Sequence, residues 1–336
     1  MIRGHKAAAS AAMTGHDPSL DIAENYRRFA RLEAAGRSPA YATLAEAVAE
    51  DEAVAAFLET LPVGKRQPNL VFAVARFLLG RPADITSLRA LVAERADELK
   101  LQIRRRRTQT NEAARCAVLL PALARVRGPL ALLEVGAAAG LTLLVDYFSY
   151  DYDGHHLHGS DPEAPTLACK LDGPVPLPEH VPEVVWRAGI DLHPLDVGDA
   201  GDVNWLSCLV WPGETDREVR LAAALATARR HPPTVHRGDL VSDLVRVASK
   251  APKDATLVVY NSAVLAYVGQ GKRNAFASAV HDLGAVWLSN EAPGIVPIRD
   301  NTAARRRTGG SFALVQDGRE LLAVTDPHGT WLSWSA

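Results

Sequence analysis

The sequence predicts an α/β fold, a doubly wound and mostly parallel sheet with a C-terminal antiparallel hairpin, preceded by an all-helical N-terminal region. Three observations predict it. Up to about residue 128, apolar residues recur at helical spacing, without a strand signal in the first hundred residues. Beyond that point, short apolar runs alternate with helical segments, which indicates parallel strands joined by helices. Finally, two β-rich segments flank Asp317-Gly318, a strong hairpin signal.

Length and charge limit the classes of partner. The chain has 336 residues, of which 48% are hydrophobic, enough for one large domain or two smaller ones. A formal net charge of -2 argues against nonspecific electrostatic binding of nucleic acid, because domains that bind it usually carry an excess of basic residues. No apolar run approaches the roughly 18 residues that a membrane span needs. We therefore expect a small-molecule substrate, with neither nucleic acid nor membrane as a partner.

Three cysteines, Cys116, Cys169 and Cys208, are scattered without close pairs. This spacing argues against a disulfide framework and against a thiolate zinc site, and it favours a reducing cytoplasm. We expect no metal site, because the spacing of His155, His156 and His158 fits neither a helix face nor a usual zinc pattern.

Residues 1–16 are predicted to be a disordered leader, since no leucine-rich core follows their two basic residues. Residues 17–128 are predicted to form the helical region, as a lid or the surface of a possible homodimer. Asp17 can cap the first helix, with Pro18 in its first turn. The later helical patterns cover Leu44 to Leu61, Leu70 to Leu79, a long helix capped by Thr86 or Ser87, and a helix opened by Thr110-Asn111.

Residues 129–336 are predicted to form the sheet domain. A helix is expected from about Gly140 to Phe148, and an insertion at about 149–183 separates the first two strands. The predicted strands cover residues 130–135, 184–190, 234–236, 255–260 and 285–289, followed by the hairpin strands 311–315 and 320–325.

Ligands of a doubly wound sheet bind beyond the carboxyl ends of its strands, so these ends are the candidate site. The first strand leads into Glu134, Gly136, Ala138 and Gly140, in the spacing E-x-G-x-x-x-G. Small residues let a cofactor lie directly against the backbone. Tight packing of a strand against a helix is the alternative role of such glycines.

The second and third strands both end in acids. Asp191-Leu192-His193 follows the second strand, where a carboxylate can accept hydrogen bonds from both ribose hydroxyls. A helix cap is the alternative role of Asp191. Asp239-Leu240 follows the third strand. His193 could act as a general base, stack on a cofactor or cap the next helix.

The fourth and fifth strands end in polar residues, Asn261-Ser262 and Asn290-Glu291. Glu291 could serve as an acid, as a base or as a binder of a substrate amine. Asn111 and Arg115, four positions apart before the first strand, are expected to share one helix face and to enter the same cleft.

The segment from Leu132 to Pro293 resembles a class I S-adenosylmethionine-dependent methyltransferase core, which has a Rossmann-like fold. The resemblance is carried by the order of the glycine loop, Gly-Ile-Asp-Leu, Gly-Asp-Leu, Val-Val-Tyr-Asn-Ser and Asn-Glu. It implies S-adenosylmethionine as cofactor. The cofactor-binding residues that it implies are Glu134, Gly136, Ala138, Gly140, Asp191, Leu192, Asp239, Leu240, Asn261 and Ser262.

Nearly the whole chain also resembles an uncharacterised bacterial family, a domain of unknown function (DUF2332). Its recurring phrases are Leu-Leu-Glu-Val-Gly-Ala-x-Ala-Gly-Leu, Asp-Tyr-Asp-Gly, Val-Trp-Arg-Ala-Gly-Ile-Asp-Leu, Leu-Val-Trp-Pro, Val-Leu-Ala-Tyr-Val, Ser-Asn-Glu-Ala-Pro-Gly and Thr-Asp-Pro-His-Gly. This resemblance implies a fold and a cofactor, but no substrate.

These observations lead to methyl transfer onto a small molecule as the expected function. The candidate catalytic residues are Glu291, Asn261 and Tyr147, and the candidate substrate-binding residues are Asn111, Arg115, Tyr152, His193 and Asn290. The alternative is a catalytically silent protein that binds an adenosine-containing metabolite as a sensor or a partner protein. A nicotinamide-dependent oxidoreductase is disfavoured by alanine at position 138, and a hydrolase by the absence of G-x-S-x-G.

Overall fold

The structure, a computed structural model, describes residues 20–297 and 310–335. The predicted leader at residues 1–16 and the helix start at Asp17-Pro18 lie outside the described residues. The chain forms two compact units. A helical unit contains the residues up to Thr110 together with Ala200–Val219, and a sheet unit contains Asn111–Asp199 and the residues from Arg220 onward.

The described helices are α1 (Ile22–Phe29), α2 (Pro39–Ala49), α3 (Glu52–Glu59), α4 (Pro68–Leu79), α5 (Ile85–Glu94), α6 (Ala96–Arg105), α7 (Arg115–Leu123), α8 (Ala200–Cys208), α9 (Thr215–Arg230), α10 (Leu244–Ala248) and α11 (Gln270–Asp282). The described strands are β1 (Leu130–Val135), β2 (Ser149–Tyr152), β3 (His155–Leu157), β4 (Thr166–Ala168), β5 (Lys170–Leu171), β6 (Val184–Asp191), β7 (Val235–Arg237), β8 (Thr256–Ser262), β9 (Val286–Glu291), β10 (Phe312–Gln316), β11 (Glu320–Thr325) and β12 (Trp331–Trp334).

The N-terminal region is helical, as predicted, but its helices are shorter than expected. The pattern from Leu44 to Leu61 is divided between α2 and α3, because the Asp51 carboxylate caps α3 by accepting the Val54 amide at 2.9 Å. The long helix expected from Thr86 or Ser87 starts earlier, where Asp84 forms a capping box with Ser87. This helix is α5, which ends at Glu94, and α6 follows it as a separate helix.

An aromatic cluster forms part of the core of the helical unit. The ring of Phe72 lies 5.1 Å from the Tyr41 ring and 5.8 Å from the Tyr26 ring, measured between centroids. Phe29 contacts both Phe72 and Trp211, at 6.1 Å and 5.2 Å. Burying a side chain of this size contributes about 1.5–3 kcal/mol, so the cluster is a major stabilising element of this unit.

The sheet unit is built on a nine-stranded sheet in the order β5-β12-β11-β10-β9-β8-β1-β6-β7. The pairs from β9 through β8, β1 and β6 to β7 are parallel, whereas β9 to β12 pair antiparallel. The prediction of a mixed α/β protein with a large, mostly parallel sheet and N-terminal helices is therefore confirmed.

The chain changes direction across the sheet beside β1. It passes from β1 to β6 and β7 on one side, and returns to β8 and β9 on the other side. Every residue of β1 is buried, because the strand is central and covered on both faces. The switch in strand order therefore lies between β1 and β8, the position at which open α/β sheets bind ligands.

The helix predicted from Gly140 to Phe148 is wrong. Gly140 has φ +73°, and only a short 3₁₀ turn at Leu141–Leu144 follows before β2 begins at Ser149. Residues 137–145 are all buried, so this segment has no polar face to present to solvent. The apolar residues of this segment have helical spacing because nearly every position is buried, and not because the segment is a helix.

The insertion predicted at about 149–183 has structure of its own. Strands β3, β2 and β4 form a small three-stranded sheet, in that order. Strand β5 joins the main sheet by pairing with β12. Helix α7, which the sequence analysis grouped with the helical region, belongs to the sheet unit.

The predicted C-terminal hairpin is present as β10 and β11. Asp317 and Gly318 between them have φ values of +50° and +63°, the left-handed conformations that tight hairpin turns require. A Cβ on Gly318 would lie 3.0 Å from Cζ3 of Trp287, so the turn also packs closely on that ring.

Candidate functional site

The loop after β1 is held against the end of β6 by hydrogen bonds. The amides of Gly136 and Ala137 donate to the carbonyl oxygen of Ile190, at 2.8 Å and 3.3 Å. The amide of Ala138 donates to Oδ2 of Asp191 at 2.9 Å. The carboxyl ends of two neighbouring strands thereby form one connected structure.

The two glycines of this loop have a packing role. Gly136 has φ +73°, and an added Cβ would lie 2.3 Å from Cγ2 of Val264. Gly140 has φ +73° as well, and its added Cβ would lie 2.9 Å from the Pro233 ring. Both positions therefore need glycine whether or not a ligand approaches, although these neighbours, Val264 and Pro233, are loop residues and not a helix packed on the strand.

The carboxylate of Asp191 is fixed in orientation. Besides the Ala138 amide, it accepts the His193 amide at 2.8 Å on Oδ1. The Gly238 amide donates to the Asp191 carbonyl oxygen at 2.9 Å, which joins the end of β7 to the end of β6. Leu192, next to this acid, is 58% exposed.

Asp239 is held in a similar way. Its Oδ1 accepts the Val241 amide at 3.0 Å, and its Oδ2 forms an ion pair with Lys272. Burial raises the pKa of Asp239, but the Lys272 ammonium and the amides after the acid outweigh burial and lower it below its usual value. Asp191, Leu192, His193, Asp239 and Leu240 are hereafter called the β6–β7 rim.

Glu134, at the end of β1, is 3% exposed. Its Oε1 accepts a hydrogen bond from the Thr142 hydroxyl, while Oε2 has no hydrogen-bond partner within the described residues. Burial raises the pKa of Glu134 to about 8, although Thr142 and the Arg115 guanidinium lower it. At neutral pH, this carboxyl is therefore mostly in its neutral form.

A polar network occupies one face of the sheet at the ends of β8 and β9. The Asn261 amide group donates to Oγ of Ser289 at 3.0 Å and to Oε1 of Glu291 at 2.7 Å. Its Oδ1 accepts from Nε1 of Trp287 at 2.9 Å. Asn261 and Glu291 therefore lie together, as predicted from their strand ends, and both are buried.

Glu291 also organises the loop after β8. Its Oε1 accepts the amides of Val264 and Leu265, at 2.8 Å and 2.9 Å. Oε2 is buried and has no hydrogen-bond partner in the described part of the chain. Burial raises the pKa of Glu291, although these amides, Asn261 and Arg115 lower it.

The opposite face of the same strand ends holds a second network. Nδ2 of Asn290 donates to Oγ of Ser262 at 3.1 Å, and Oδ1 of Asn290 accepts from the Thr325 hydroxyl at 2.8 Å. Arg115 donates to the carbonyl oxygens of Ser262 at 3.3 Å and of Pro327 at 2.9 Å. Ser262, Asn290 and Arg115 are therefore brought together.

Asn111 lies at the first strand end, because its Oδ1 accepts the Leu141 amide at 2.8 Å. The expectation that Asn111 and Arg115 share a helix face is wrong, since α7 begins only at Arg115. The two side chains instead contact the loop after β1 and the end of β8. Both are buried.

The structure places the two candidate tyrosines in other surroundings. Tyr147 stacks on His231, with ring centroids 4.0 Å apart, and its ring also lies 4.5 Å from the Arg187 guanidinium. The Tyr152 hydroxyl donates to the Ala117 carbonyl oxygen at 2.7 Å, and its ring is buried. Their roles in catalysis and substrate binding stay predictions.

Sequence reasoning missed four residues that shape these strand ends. Thr142 bonds Glu134, Val264 packs on Gly136, Lys272 pairs with Asp239 and Thr325 bonds Asn290. Only Val264 gave a usable signal, as it follows the fourth strand end by two residues. Thr142 follows Glu134 by eight residues, in the segment that was expected to be a helix. The contacts of Lys272 and Thr325 depend on how a helix and a distant strand pack.

Within residues 20–297 and 310–335, no cluster of three or more His, Cys, Asp or Glu side chains is arranged to hold a metal ion. In the same residues, no helix is both long enough and apolar enough to cross a membrane.

The chemistry of the strand ends fits an adenosine-containing cofactor. At the β6–β7 rim, exposed Leu192 and half-buried Leu240 adjoin the carboxylates of Asp191 and Asp239. Apolar surface beside fixed acceptors suits an adenine ring and ribose hydroxyls. The buried Oε2 of Glu134 is an acceptor that a cofactor ammonium would satisfy.

Comparison with known proteins supports the family resemblance alone. No curated protein and no solved structure matches the chain. Residues 23–334 match the family described as an uncharacterized protein conserved in bacteria (DUF2332). This match extends from the first described helix to the last strand and includes every strand end described above. The chain is therefore a member of this bacterial family.

Proposed function

We propose that the chain binds S-adenosylmethionine at the β6–β7 rim and the loop after β1, and transfers its methyl group to a small molecule. The observation that carries this proposal is the hydrogen bond between the Ala138 amide and the Asp191 carboxylate. It joins a small-residue loop to an acid beside the switch in strand order. Open α/β sheets bind nucleotides at this position.

The strand order supports the same proposal. From β7 through β6, β1 and β8 to β9, the strands are parallel, and the chain reverses its direction of travel beside β1. This order resembles the central part of a Rossmann-like, doubly wound sheet. The antiparallel pair β10 and β11 resembles the antiparallel last strands of class I methyltransferases.

In this proposal, each part of the site has a role set by its chemistry. Asp191 would accept the ribose hydroxyls, and Leu192 and Leu240 would contact the adenine ring beside Asp239. Glu134 would meet the methionine end of the cofactor. The cofactor supplies a methyl group on a sulfonium, so alignment of the acceptor contributes more than strong acid or base chemistry.

The proposed acceptor side lies at the ends of β8 and β9. Glu291 is the strongest candidate for holding a proton there, because burial raises the pKa of its carboxyl and Oε2 is without a partner in the described residues. Asn261 fixes the other oxygen of that carboxyl. Tyr147 remains a further candidate, in contact with His231.

A second candidate function is a catalytically silent binder of an adenosine-containing metabolite. The observation that favours it is the burial of Asn261, Asn290 and Glu291, each of which is at most 1% exposed. The side-chain hydrogen bonds described above for these three residues are all made within the sheet unit. In this case the rim would bind its ligand, and the buried networks would serve only the fold.

Isothermal titration tests the binding step. We expect S-adenosylmethionine and S-adenosylhomocysteine to bind, and Asp191→Asn to weaken both by about ten-fold or more, since a charged acceptor is lost. Asp254→Asn, an exposed acid removed elsewhere in the sheet unit, should leave binding unchanged. Absence of binding by both sulfur compounds, or a clear preference for nicotinamide dinucleotide, would overturn the proposal.

A turnover assay separates the two functions. The wild-type protein is incubated with S-adenosylmethionine and a broad panel of small oxygen, nitrogen, carbon and sulfur nucleophiles, and release of S-adenosylhomocysteine is measured. Release that depends on an acceptor supports methyl transfer. Tight binding without release on the whole panel favours the silent binder.

A further inference from the structure

The sheet unit contains a cleft that none of the proposed roles uses. It has a volume of about 690 Å³ and runs between α11, the start of β9 and the β10–β11 turn. Small-molecule sites of proteins have volumes in this range. Its lining includes Leu265, Arg273, Ala277, Val286, Trp287 and Arg319.

The apolar wall of the cleft is rigid. The Trp287 ring is held by the hydrogen bond from Nε1 to Asn261 and by an edge-to-face contact with Phe276, at 5.6 Å and 90°. The close approach of Gly318 restricts the ring further. A preformed aromatic wall binds an apolar group without loss of side-chain freedom, which favours a small ligand.

The cleft also contains the guanidinium of Arg273. The Arg273 guanidinium donates from Nη1 to the Ile295 carbonyl oxygen at 3.2 Å, which holds it at the wall. Its Nε is buried and has no hydrogen-bond partner among the described residues. The residue as a whole is half-buried, so an anion in the cleft can reach the guanidinium and accept from its remaining donors.

The acids that line the cleft have other partners. Asp317 accepts the Trp287 amide at 2.9 Å on Oδ1 and the Gln316 side chain at 3.2 Å on Oδ2. Asp282 is largely exposed and lies 3.6 Å from His281. Arg319 adds a second cation on the hairpin side. The cleft therefore combines the apolar surface of Trp287, Val286 and Leu265 with the two guanidinium groups of Arg273 and Arg319.

From the cavity, its aromatic wall and the Arg273 guanidinium, we infer that the cleft binds a small organic acid. The anionic group of the ligand, a carboxylate or a sulfonate, binds Arg273, and its apolar part packs on Trp287, Val286 and Leu265. This site is distinct from the β6–β7 rim and from the loop after β1. It does not depend on methyl transfer at those positions.

Two fluorescent probes test the inference. 8-Anilinonaphthalene-1-sulfonate is an apolar anion, and N-phenyl-1-naphthylamine is the same ring system without the sulfonate. We expect Arg273→Gln to weaken binding of the anion by about ten-fold or more and to change binding of the neutral probe by less than two-fold. Lys253→Gln, an equal loss of charge on the exposed surface, should affect neither probe.

A matched pair on α11 tests the location. Ala277→Trp fills the cleft and should weaken both probes, whereas Ala275→Trp adds the same ring to the exposed side of α11 and should weaken neither. Equal effects of these two variants, equal effects of Arg273→Gln on both probes, or no anion binding by the wild type would overturn the inference. If Ala277→Trp does not fold, the comparison of Arg273→Gln with Lys253→Gln decides alone.

Discussion

The Asp191 carboxylate accepts a hydrogen bond from the Ala138 amide at 2.9 Å, across 53 positions of the chain. The acid that the sequence assigns to ribose binding therefore also fixes the loop after β1. A substitution of Asp191 therefore changes the loop as well as the proposed ribose acceptor. Experiments on this protein must separate an effect on the loop from an effect on a ligand.

We predict that Asp191→Ala lowers the free energy of unfolding by about 1–3 kcal/mol, because the amides of Ala138 and His193 lose their acceptors. Asp191→Asn should lower it less, since its amide oxygen can still accept one of them. Urea unfolding of the three proteins measures both differences. Equal stability of wild type and Asp191→Ala would show that the loop does not need this acid.

Gly136 is predicted to be essential for packing. Gly136→Ala should destabilise the protein, because its Cβ would lie 2.3 Å from Val264 and its φ is +73°. Gly284→Ala separates the two causes, since Gly284 has φ +64° but no atom within 4 Å of an added Cβ. We expect about 1–2 kcal/mol for Gly284→Ala, from the backbone alone.

Gly136→Ala should cost about 1–3 kcal/mol more than that, through overpacking. The same change made in a Val264→Ala background should cost clearly less, because the side chain that it meets has been shortened. Chemical denaturation of the single and double variants measures this coupling. A Gly136→Ala loss that is independent of residue 264 would contradict the prediction.

Glu134 should make stability depend on pH. Its pKa rises from an ordinary 4.5 to about 8 in the fold, because burial favours the neutral form. Between these values the unfolded chain releases the proton while the folded protein keeps it. Stability therefore falls as pH rises through this window, by up to about 1.4 kcal/mol per pH unit, and levels off above it.

Glu134→Gln removes this dependence. Its free energy of unfolding should be close to that of the wild type near pH 5 and higher by several kcal/mol near pH 8.5. Asp254→Asn, at an exposed acid, serves as the control and should follow the wild-type pH profile. Urea unfolding at the two pH values measures the effect, and parallel curves for wild type and Glu134→Gln would refute it.

Glu291 allows a structural role to be separated from a chemical one. Glu291→Ala leaves the amides of Val264 and Leu265 without their acceptor, so we expect a loss of about 2–4 kcal/mol. Glu291→Gln keeps an oxygen at the Oε1 position and should lose much less. Should the wild type show methyl transfer, a folded Glu291→Gln without turnover would assign the proton-holding role to this carboxyl.

Much of the sheet could be predicted from the sequence. Strand β1 was predicted with its observed bounds, because a central parallel strand is buried on both faces and reads as one apolar run. The hairpin followed from Asp317-Gly318, whose residues adopt left-handed backbone conformations. The helix predicted at residues 140–148 was wrong, because a segment that is buried on nearly all sides also has apolar residues at helical spacing.

The sequence by itself determined the strands β1 and β6 to β11 and the acids and amides at their ends, because both are local properties of the chain. Only the tertiary structure decided which of these groups meet. Asp191 bonds Ala138, Val264 packs on Gly136, and Asn261 joins Trp287 to Glu291. These contacts join residues 26 or more positions apart. They depend on strand register and loop packing, which no spacing along the chain encodes.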